Sequence, residues 1–197
     1  VASDYDLKEY LRLFATLINN MNDNISPFVK KILEFIQSRF NQELSKGFVS
    51  VIVSLLNSLK DGFAPYASET ICLLIGIFEK SKTTDADLCR DVLNAFLILG
   101  VYAADLLYLI VPQICEVIET EQTLKKVRTY AFNVLAKLSK LVDLFPYLGQ
   151  IMRAINIGLF SNEIKMRNAA YEFLYVLLMA QGSTFLKRAN PIIQTIK

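Results

Sequence analysis

The sequence predicts an all-α protein built from helical hairpins that repeat about every 40 residues. Two observations predict this fold class. Apolar residues recur at steps of three and four along most of the 197 residues, which is the spacing of amphipathic helices. In addition, KVRTYAFNVLAKL at 126–138 is matched in residue class by KMRNAAYEFLYVL at 165–177. The sequence pattern of one helix of the repeat therefore occurs twice.

Composition supports a helical chain with a large apolar interior. Hydrophobic residues make up 53% of the sequence, whereas there are only 7 glycines and 5 prolines. A β-rich or disordered chain normally carries more of these turn-forming residues. The longest uncharged runs, 92–104 and 173–186, are shorter than the roughly 18–20 residues of a membrane-spanning helix. We therefore expect no transmembrane segment, and peripheral contact with a membrane stays open.

Each helix is predicted from its apolar period and bounded by polar breaks. In the segment 124–142, apolar side chains occupy one face and lysines the other. Asp85 and Asn162 are placed as N-terminal caps, and Gly62 and Gly182 as helix stops. The predicted helices are, in order, 6–22, 26–40, 43–60, 65–80, 86–103, 105–120, 124–142, 145–160, 163–181 and 184–196.

Landmark residues set the period of the repeat. The second helix of successive pairs carries Arg90, Arg128 and Arg167, at intervals of 38 and 39 residues. An aromatic residue or leucine marks the start of each first helix, at similar intervals. We expect one array over 1–197, cut from a longer chain because it starts at Val1 without an initiator methionine and stops inside a helical pattern. The starting residues are Phe28, Tyr66, Leu107, Tyr147 and Phe185, and the repeats are 1–23 (partial), 24–62, 63–103, 104–143, 144–182 and 183–197 (partial).

The repeated phrase resembles the second helix of HEAT repeats, in which Val-Arg is followed by small residues and spaced leucines. Two helices per repeat favour HEAT over the three-helix armadillo unit. The early repeat departs from the pattern, because Phe48 or Val49 stands where the arginine is expected. The predicted fold is thus a right-handed α-solenoid of about five HEAT-type repeats.

Residue types argue against catalysis by this chain. The absence of histidine excludes Ser-His-Asp and Cys-His nucleophiles and zinc sites that need imidazole. No Cys-x-x-Cys pair, Walker loop or G-x-G-x-x-G motif is present, so no metal or cofactor is expected. The three scattered cysteines, Cys72, Cys89 and Cys115, indicate reduced core residues of an intracellular protein.

Charge indicates a protein partner rather than a nucleic acid. The net charge is only +2, and no block of like charges occurs. Basic side chains of adjacent second helices form a candidate strip of the kind that binds acidic segments or anionic lipid heads. The residue pattern favours the other interpretation, in which they are ordinary solvent-facing charges and Arg90, Arg128 and Arg167 are structural groups joining neighbouring repeats. The predicted basic strip contains Lys125, Lys126, Arg128, Lys137, Lys140, Lys165 and Arg167.

The stretch from Gly47 to Ile193 resembles part of the HEAT-repeat region of target-of-rapamycin (TOR) kinases, which are phosphatidylinositol-kinase-related Ser/Thr kinases. ADLLYLIVPQICEVIE is similar to the family's D-x-Y-L-x-L-x-x-P helix, with Leu107 replacing the tyrosine. RTYAFNVLAKLSKLVDLFPYLGQIMRAI and RNAAYEFLYVLLMAQGSTFLKRANPII resemble the units that follow it. Residues 1–46 contain no segment that resembles this family in the same way.

The resemblance implies a non-catalytic scaffold segment of a growth- and nutrient-signalling kinase. In that family the solenoid holds the dimer together and docks the substrate-recruiting subunit Raptor. The implied partners are therefore a Raptor-type subunit and a second copy of the parent chain. The implied location is the cytoplasm, with recruitment to endomembranes through partners. The kinase motifs lie outside this segment, so no catalytic residue is carried over.

Two other HEAT classes stay open at this point. A karyopherin-like transport receptor usually has acidic inner helices, whereas the inner helices here are mostly basic. A microtubule-binding TOG-type array places lysine, arginine and tryptophan on the loops between paired helices. The chain has no tryptophan, and its loops are mixed in charge.

Overall fold

The structure, a computed structural model, is mainly helical in the part of the chain it describes. It describes the backbone of residues 4–39, 41 and 43–195, and the side chains of 7–39, 41, 43–185 and 187. No strand occurs in these ranges, so the predicted all-α class is confirmed for them. The repeat and solenoid architecture stays a prediction. The helices are α1 (Asp4–Met21), α2 (Val29–Ser38), α3 (Ser45–Leu59), α4 (Ala64–Ser81), α5 (Ala86–Tyr102), α6 (Leu107–Glu119), α7 (Lys125–Leu138), α8 (Leu148–Leu159) and α9 (Ile164–Thr195).

The chain divides into two compact units, Val1–Ile110 and Val111–Lys197. Short 3₁₀ turns precede several helices: Asn22–Phe28 leads into α2, Lys60–Phe63 into α4, Ala104–Leu106 into α6 and Phe145–Tyr147 into α8. The outermost residues of the predicted partial repeats, 1–3 and 196–197, lie outside the described residues.

In the first unit, α1 packs on α3 and α3 packs on α5, while α2 contacts α4 and α4 contacts α5. The α1–α3 contact is close because Gly47 has no side chain. A Cβ atom there would lie 2.8 Å from Leu11 Cδ1. Further along the same contact, the Ser58 hydroxyl donates a hydrogen bond to the Ile18 carbonyl at 3.2 Å. Phe48, Phe63 and Phe96 are fully buried in this unit.

In the second unit, α9 packs against both α7 and α8. Phe132 on α7 and Phe173 on α9 are fully buried, with ring centroids 6.2 Å apart. The ring of Phe132 also lies against Gly158 on α8. Burial of aromatic side chains is among the largest single contributions to a core, so these contacts define how the three helices fit together.

Of the four predicted caps and stops, only the N-cap at Asp85 is confirmed. Asp85 is an N-cap, since its carboxylate accepts hydrogen bonds from the Asp87 and Leu88 N–H groups at 3.1 and 3.0 Å. The predicted break at 181–183 is wrong, because α9 continues to Thr195 and Gly182 has no positive φ. The predicted stop at Gly62 is also displaced, because α3 ends at Leu59 and the positive φ falls on Lys60, at 48°.

Asn162 does not cap α9, because that helix begins at Ile164. The N–H group of Glu163 instead donates to the Ser161 hydroxyl at 3.2 Å. The cap position is therefore one residue later than the sequence predicts.

One segment of the first unit meets the length and composition criteria for a membrane span. Ser45–Ser81, which holds α3, a 3₁₀ turn and α4, reaches a mean hydropathy of 1.2. Half of its most apolar window is buried within the fold, as in core helices of water-soluble proteins that meet the same criteria. This is weak evidence for a span.

All three cysteines are free in the structure. Cys89 and Cys115 are buried, whereas Cys72 is exposed and so does not belong to the core. Burial, with a smaller contribution from Glu119, raises the pKa of the Cys115 thiol to about 12. That thiol is therefore neutral and unreactive at physiological pH.

Candidate interaction surface

The candidate site is the surface groove between α7 and α9. The Phe132–Phe173 contact is followed, in the same direction along both segments, by the hydrogen bond between Gln181 on α9 and Ser139, the residue directly after α7. The two helices are therefore parallel, and positions 39 to 42 residues apart lie side by side. A shallow cavity of about 320 Å³ lies along this groove. It is lined by Tyr130, Asn133, Ala136, Lys137, Lys140, Glu172 and Val176.

The five lysines of the predicted basic strip are all exposed, but the structure divides them between two places. Lys137 and Lys140 line the groove at its far end. Lys125 and Lys126 begin α7 and Lys165 lies in the first turn of α9, so these three lie at the near end of two parallel helices. None of the five has an ion-pair partner among the described residues.

The two arginines of the strip point elsewhere. Arg128 Nε donates to the Ile118 carbonyl at 2.8 Å, and Arg167 Nη1 donates to the Ser161 carbonyl at 2.7 Å. Both carbonyls lie at or just beyond the C-terminal end of the preceding helix, where backbone oxygens lack a helical partner. Arg128 thus ties α7 to the end of α6, and Arg167 ties α9 to the loop that follows α8. Both side chains are half-buried.

Arg90 is placed differently from the other two. It is exposed and lies 3.3 Å from Asp87, three residues earlier on the same helix. Its ion pair therefore stays within α5. A role for these three arginines in joining neighbouring repeats stays a prediction.

Electrostatics favour an anionic partner in the α7–α9 groove. Glu172 is the only acidic residue among those lining the cavity, against Lys137 and Lys140. Tyr130 and Val176 add apolar surface between the charges. Charges without an internal partner keep their full attraction for a ligand, which falls as salt is added. The groove is suited to a segment that alternates acidic and apolar side chains.

A second polar cavity, which the sequence did not indicate, lies in the first unit. It has a volume of about 490 Å³ and carries charges of both signs. Burial raises the pKa of Asp91 here, while Arg90 and Lys46 lower it in part, and Asp87 and Asp85 raise it slightly. Mixed charges give this cavity no clear preference for an anion or a cation. Its lining residues are Lys8, Arg12, Glu43, Lys46, Gly47, Ser50, Asp85, Leu88 and Asp91.

Two apolar surfaces were also missed by sequence reasoning. One is a stripe on α9 made by Tyr171, Tyr175 and Leu178, which are 59%, 64% and 55% exposed. The other is a cleft of about 460 Å³ beside α1 and α2. The α9 stripe had a detectable signal, because its residues follow helical spacing on a face separate from the buried one. The cleft had none, since its residues come from three successive elements.

The described residues contain no cluster of three His, Cys, Asp or Glu side chains that could hold a metal ion. Comparison with known proteins adds no family assignment. No protein-family model matches the chain, and no curated protein shows significant sequence similarity to it.

Proposed function

We propose that this chain is a non-catalytic helical-repeat scaffold, an α-solenoid segment that binds an acidic protein segment in the α7–α9 groove. The observation that carries the proposal is the set of exposed lysines on two adjacent parallel helices, without ion-pair partners among the described residues. Parallel second helices give such a surface a repeating geometry, because equivalent side chains recur along it.

The groove would bind by electrostatic attraction first and by apolar contact second. Lys137 and Lys140 attract carboxylates at one end, and Lys126 and Lys165 do so at the other. Exposed charges raise the rate at which partners associate and determine which partner binds, more than they increase the affinity. The apolar surface of Tyr130 and Val176 would supply the contact that holds the segment. Binding should accordingly weaken as salt rises.

The nature of the parent protein is part of the same proposal. The resemblance of residues 47–193 to the HEAT region of TOR kinases supports a growth- and nutrient-signalling kinase as the parent. In that setting the chain would be cytoplasmic and would contribute to complex assembly, with a Raptor-type subunit as the partner to test first.

The experiment is affinity capture from lysate with matched charge variants. One variant carries Lys126→Glu, Lys137→Glu and Lys140→Glu. The control reverses three exposed lysines elsewhere, Lys30, Lys60 and Lys187, and so has the same net charge. The expected result is that TOR-complex subunits, identified by mass spectrometry, are retained by the wild-type chain and the control and lost from the groove variant.

Other outcomes would reject parts of the proposal. Equal loss from both variants would show that only net charge matters, and the groove would not be the site. Recovery of a small GTPase with nuclear cargo, or of tubulin, would assign the chain to a karyopherin-like or TOG-type array instead. A groove variant that retains every partner would remove the basic strip from the mechanism.

A further inference from the structure

The mixed-charge cavity of the first unit lies where two helical faces meet. Lys46 and Ser50 are four residues apart on α3, and Leu88 and Asp91 are three apart on α5, so each pair shares one face of its helix. The two helices pack against each other. All four residues line the same cavity of about 490 Å³, which is within the range of about 300–1,000 Å³ typical of ligand pockets.

The cavity is lined by three positively and three negatively charged side chains, and four of these six already have a partner in the fold. Lys8 Nζ lies 3.7 Å from a carboxylate oxygen of Glu43. Arg12 Nη2 donates a hydrogen bond to Glu9 Oε1 at 2.6 Å, along the same helix. The carboxylate of Asp85 caps α5.

Lys46 and Asp91 are the two charged groups that remain. Neither forms a hydrogen bond or an ion pair in the part of the chain that the structure describes. Burial raises the pKa of Asp91, and the positive charges of Arg90 and Lys46 offset this only in part. The Asp91 carboxylate therefore lacks a close cation to compensate for the water that it loses by burial.

We infer that this cavity binds a small zwitterion, with its cationic group at Asp91 and its carboxylate at Lys46. A ligand with one charge would be attracted by one of these groups and repelled by the other. A ligand with both charges satisfies both groups and adds no net charge to the cavity.

The apolar part of the cavity wall narrows the class of ligand. The side chain of Leu88 is 5% exposed and supplies an apolar surface beside the two charged groups. A chain of methylene groups between the amino and carboxyl groups of the ligand would pack against it. The ligand class is therefore that of amino acids whose two charges are separated by such a chain, as the side-chain ammonium and the carboxylate of lysine are.

This inference goes beyond the proposed function and is independent of it. It uses neither the α7–α9 groove nor the resemblance to TOR kinases. The mixed-charge cavity is formed by residues of the first unit alone, whereas the groove belongs to the second unit.

The test is an NMR titration of the isotope-labelled 197-residue chain with ε-aminohexanoate, followed at the backbone amides of Lys46, Ser50, Leu88 and Asp91. Hexanoate and hexylamine have the same carbon chain with one charge each. We expect saturable shifts with ε-aminohexanoate at millimolar concentration, because partly exposed charges contribute little affinity. Each single-charge analogue should bind the wild type more weakly by about tenfold or more, since one charged contact is missing.

Two variants each remove one of the charges while keeping the size of the side chain. Lys46→Met and Asp91→Asn should weaken the binding of ε-aminohexanoate by about tenfold or more. Each should also gain affinity for one analogue, because the repelling group is gone: Lys46→Met for hexylamine and Asp91→Asn for hexanoate. Lys30→Met and Asp105→Asn, at exposed positions outside the cavity, are the matched controls and should bind as the wild type does.

Three results would overturn the inference. One is a single-charge analogue that binds the wild type as tightly as ε-aminohexanoate does. Another is a cavity variant that keeps the wild-type affinity while circular dichroism shows that it folds. The third is the absence of saturable shifts at the cavity with ε-aminohexanoate and with the shorter zwitterions γ-aminobutyrate and glycine.

Lysine derivatives distinguish two sources of such a ligand. Nα-acetyl-lysine has the side-chain ammonium and the carboxylate of a lysine at the end of a polypeptide, whereas free lysine carries a further ammonium group beside the carboxylate. Tighter binding of Nα-acetyl-lysine supports the C-terminus of a polypeptide as the ligand. Equal or tighter binding of free lysine supports a free amino acid.

Failure of this inference and failure of the proposed function are distinguishable. The lysine variant of the α7–α9 groove leaves the mixed-charge cavity intact and should bind ε-aminohexanoate as the wild type does. If that variant loses its protein partners and still binds ε-aminohexanoate, both proposals are supported. If it loses ε-aminohexanoate binding, the cavity is not the site.

Discussion

The side-chain amide of Gln181 on α9 is hydrogen-bonded to the backbone of Leu144 in the loop between α7 and α8. Its Oε1 accepts from the Leu144 N–H group at 3.0 Å. Its Nε2 donates to the carbonyls of Ser139 and Val142, at 2.6 and 2.5 Å. Three backbone groups of one loop are thus satisfied by a single buried side chain, which ties that loop to the long C-terminal helix.

Replacing this amide should destabilise the second unit. In Gln181→Leu, the buried Leu144 N–H group loses its acceptor, and the carbonyls of Ser139 and Val142 lose their donor. Each buried polar group left unpaired costs about 1–3 kcal/mol, so we expect a loss of about 3 kcal/mol in the free energy of unfolding. Urea unfolding followed by circular dichroism measures this. The control is Gln122→Leu, at an exposed position before α7. Equal effects of the two substitutions would contradict the proposed role of the amide.

The notch at Gly158 gives a second prediction. A methyl group there would lie 2.5 Å from Phe132 and 2.6 Å from Ala170, neither of which has room to move in a packed core. We expect Gly158→Ala to lower the free energy of unfolding by about 1–3 kcal/mol through overpacking.

Gly149 on the same helix provides the matched control. Nothing lies within 4 Å of a Cβ added at Gly149. Gly149→Ala should therefore be neutral or stabilise the protein by up to about 1 kcal/mol, because alanine is the better helix former. Thermal unfolding of both variants separates the two effects. If both substitutions stabilise the chain, the close packing of Phe132 on α8 is not rigid.

The apolar period was enough to predict most helices, but of the predicted caps and stops only Asp85 is confirmed, and tertiary packing decided where α9 ends. Asp85 could be identified from sequence because a cap bonds N–H groups two and three residues away. At 181–183, the polar letters QGS suggested a loop. Gln181 is instead a buried helical residue that is hydrogen-bonded to a loop some 40 residues earlier. Gly182 stays helical at a modest cost in helix propensity.

The candidate site was predictable in composition and not in arrangement. Exposure of Lys126, Lys137 and Lys140 follows from the polar face of one helix. Which lysines share a groove depends on the parallel alignment of α7 with α9, which no local pattern contains. The repeated phrase also matched Tyr171 with Phe132, but similarity of residue class conceals that one ring is exposed and the other fully buried.

The arginines give a third prediction. Arg128→Met removes a charged hydrogen bond to the Ile118 carbonyl, and such bonds contribute about 1.5–3 kcal/mol. We expect a loss of about 2 kcal/mol in the free energy of unfolding. Arg90→Met removes an exposed pair three residues apart on one helix, which contributes about 0.2–0.5 kcal/mol. Denaturant unfolding of both variants makes the comparison, and equal losses would mean that the carbonyl bond is not what stabilises the hairpin.

Asp91 gives a prediction that depends on pH. Burial raises its pKa above 3.8, although Arg90 and Lys46 oppose the shift. A carboxyl group whose pKa is higher in the folded state favours folding while it is protonated. Its contribution to stability is fully present below pH 3.8 and is lost as the pH rises through the folded-state pKa.

Asp91→Asn replaces the carboxyl group with a neutral amide of the same shape. It should therefore raise the free energy of unfolding at neutral pH and have little effect below pH 3.8, where the wild-type carboxyl is also neutral. Urea unfolding of both proteins at the two pH values gives the difference, and Asp105→Asn at an exposed position of the same unit measures the background of removing one charge. A variant that is less stable than the wild type at neutral pH would show that attraction to Lys46 and Arg90 outweighs burial. The same difference at both pH values would mean that ionisation of Asp91 is not coupled to folding.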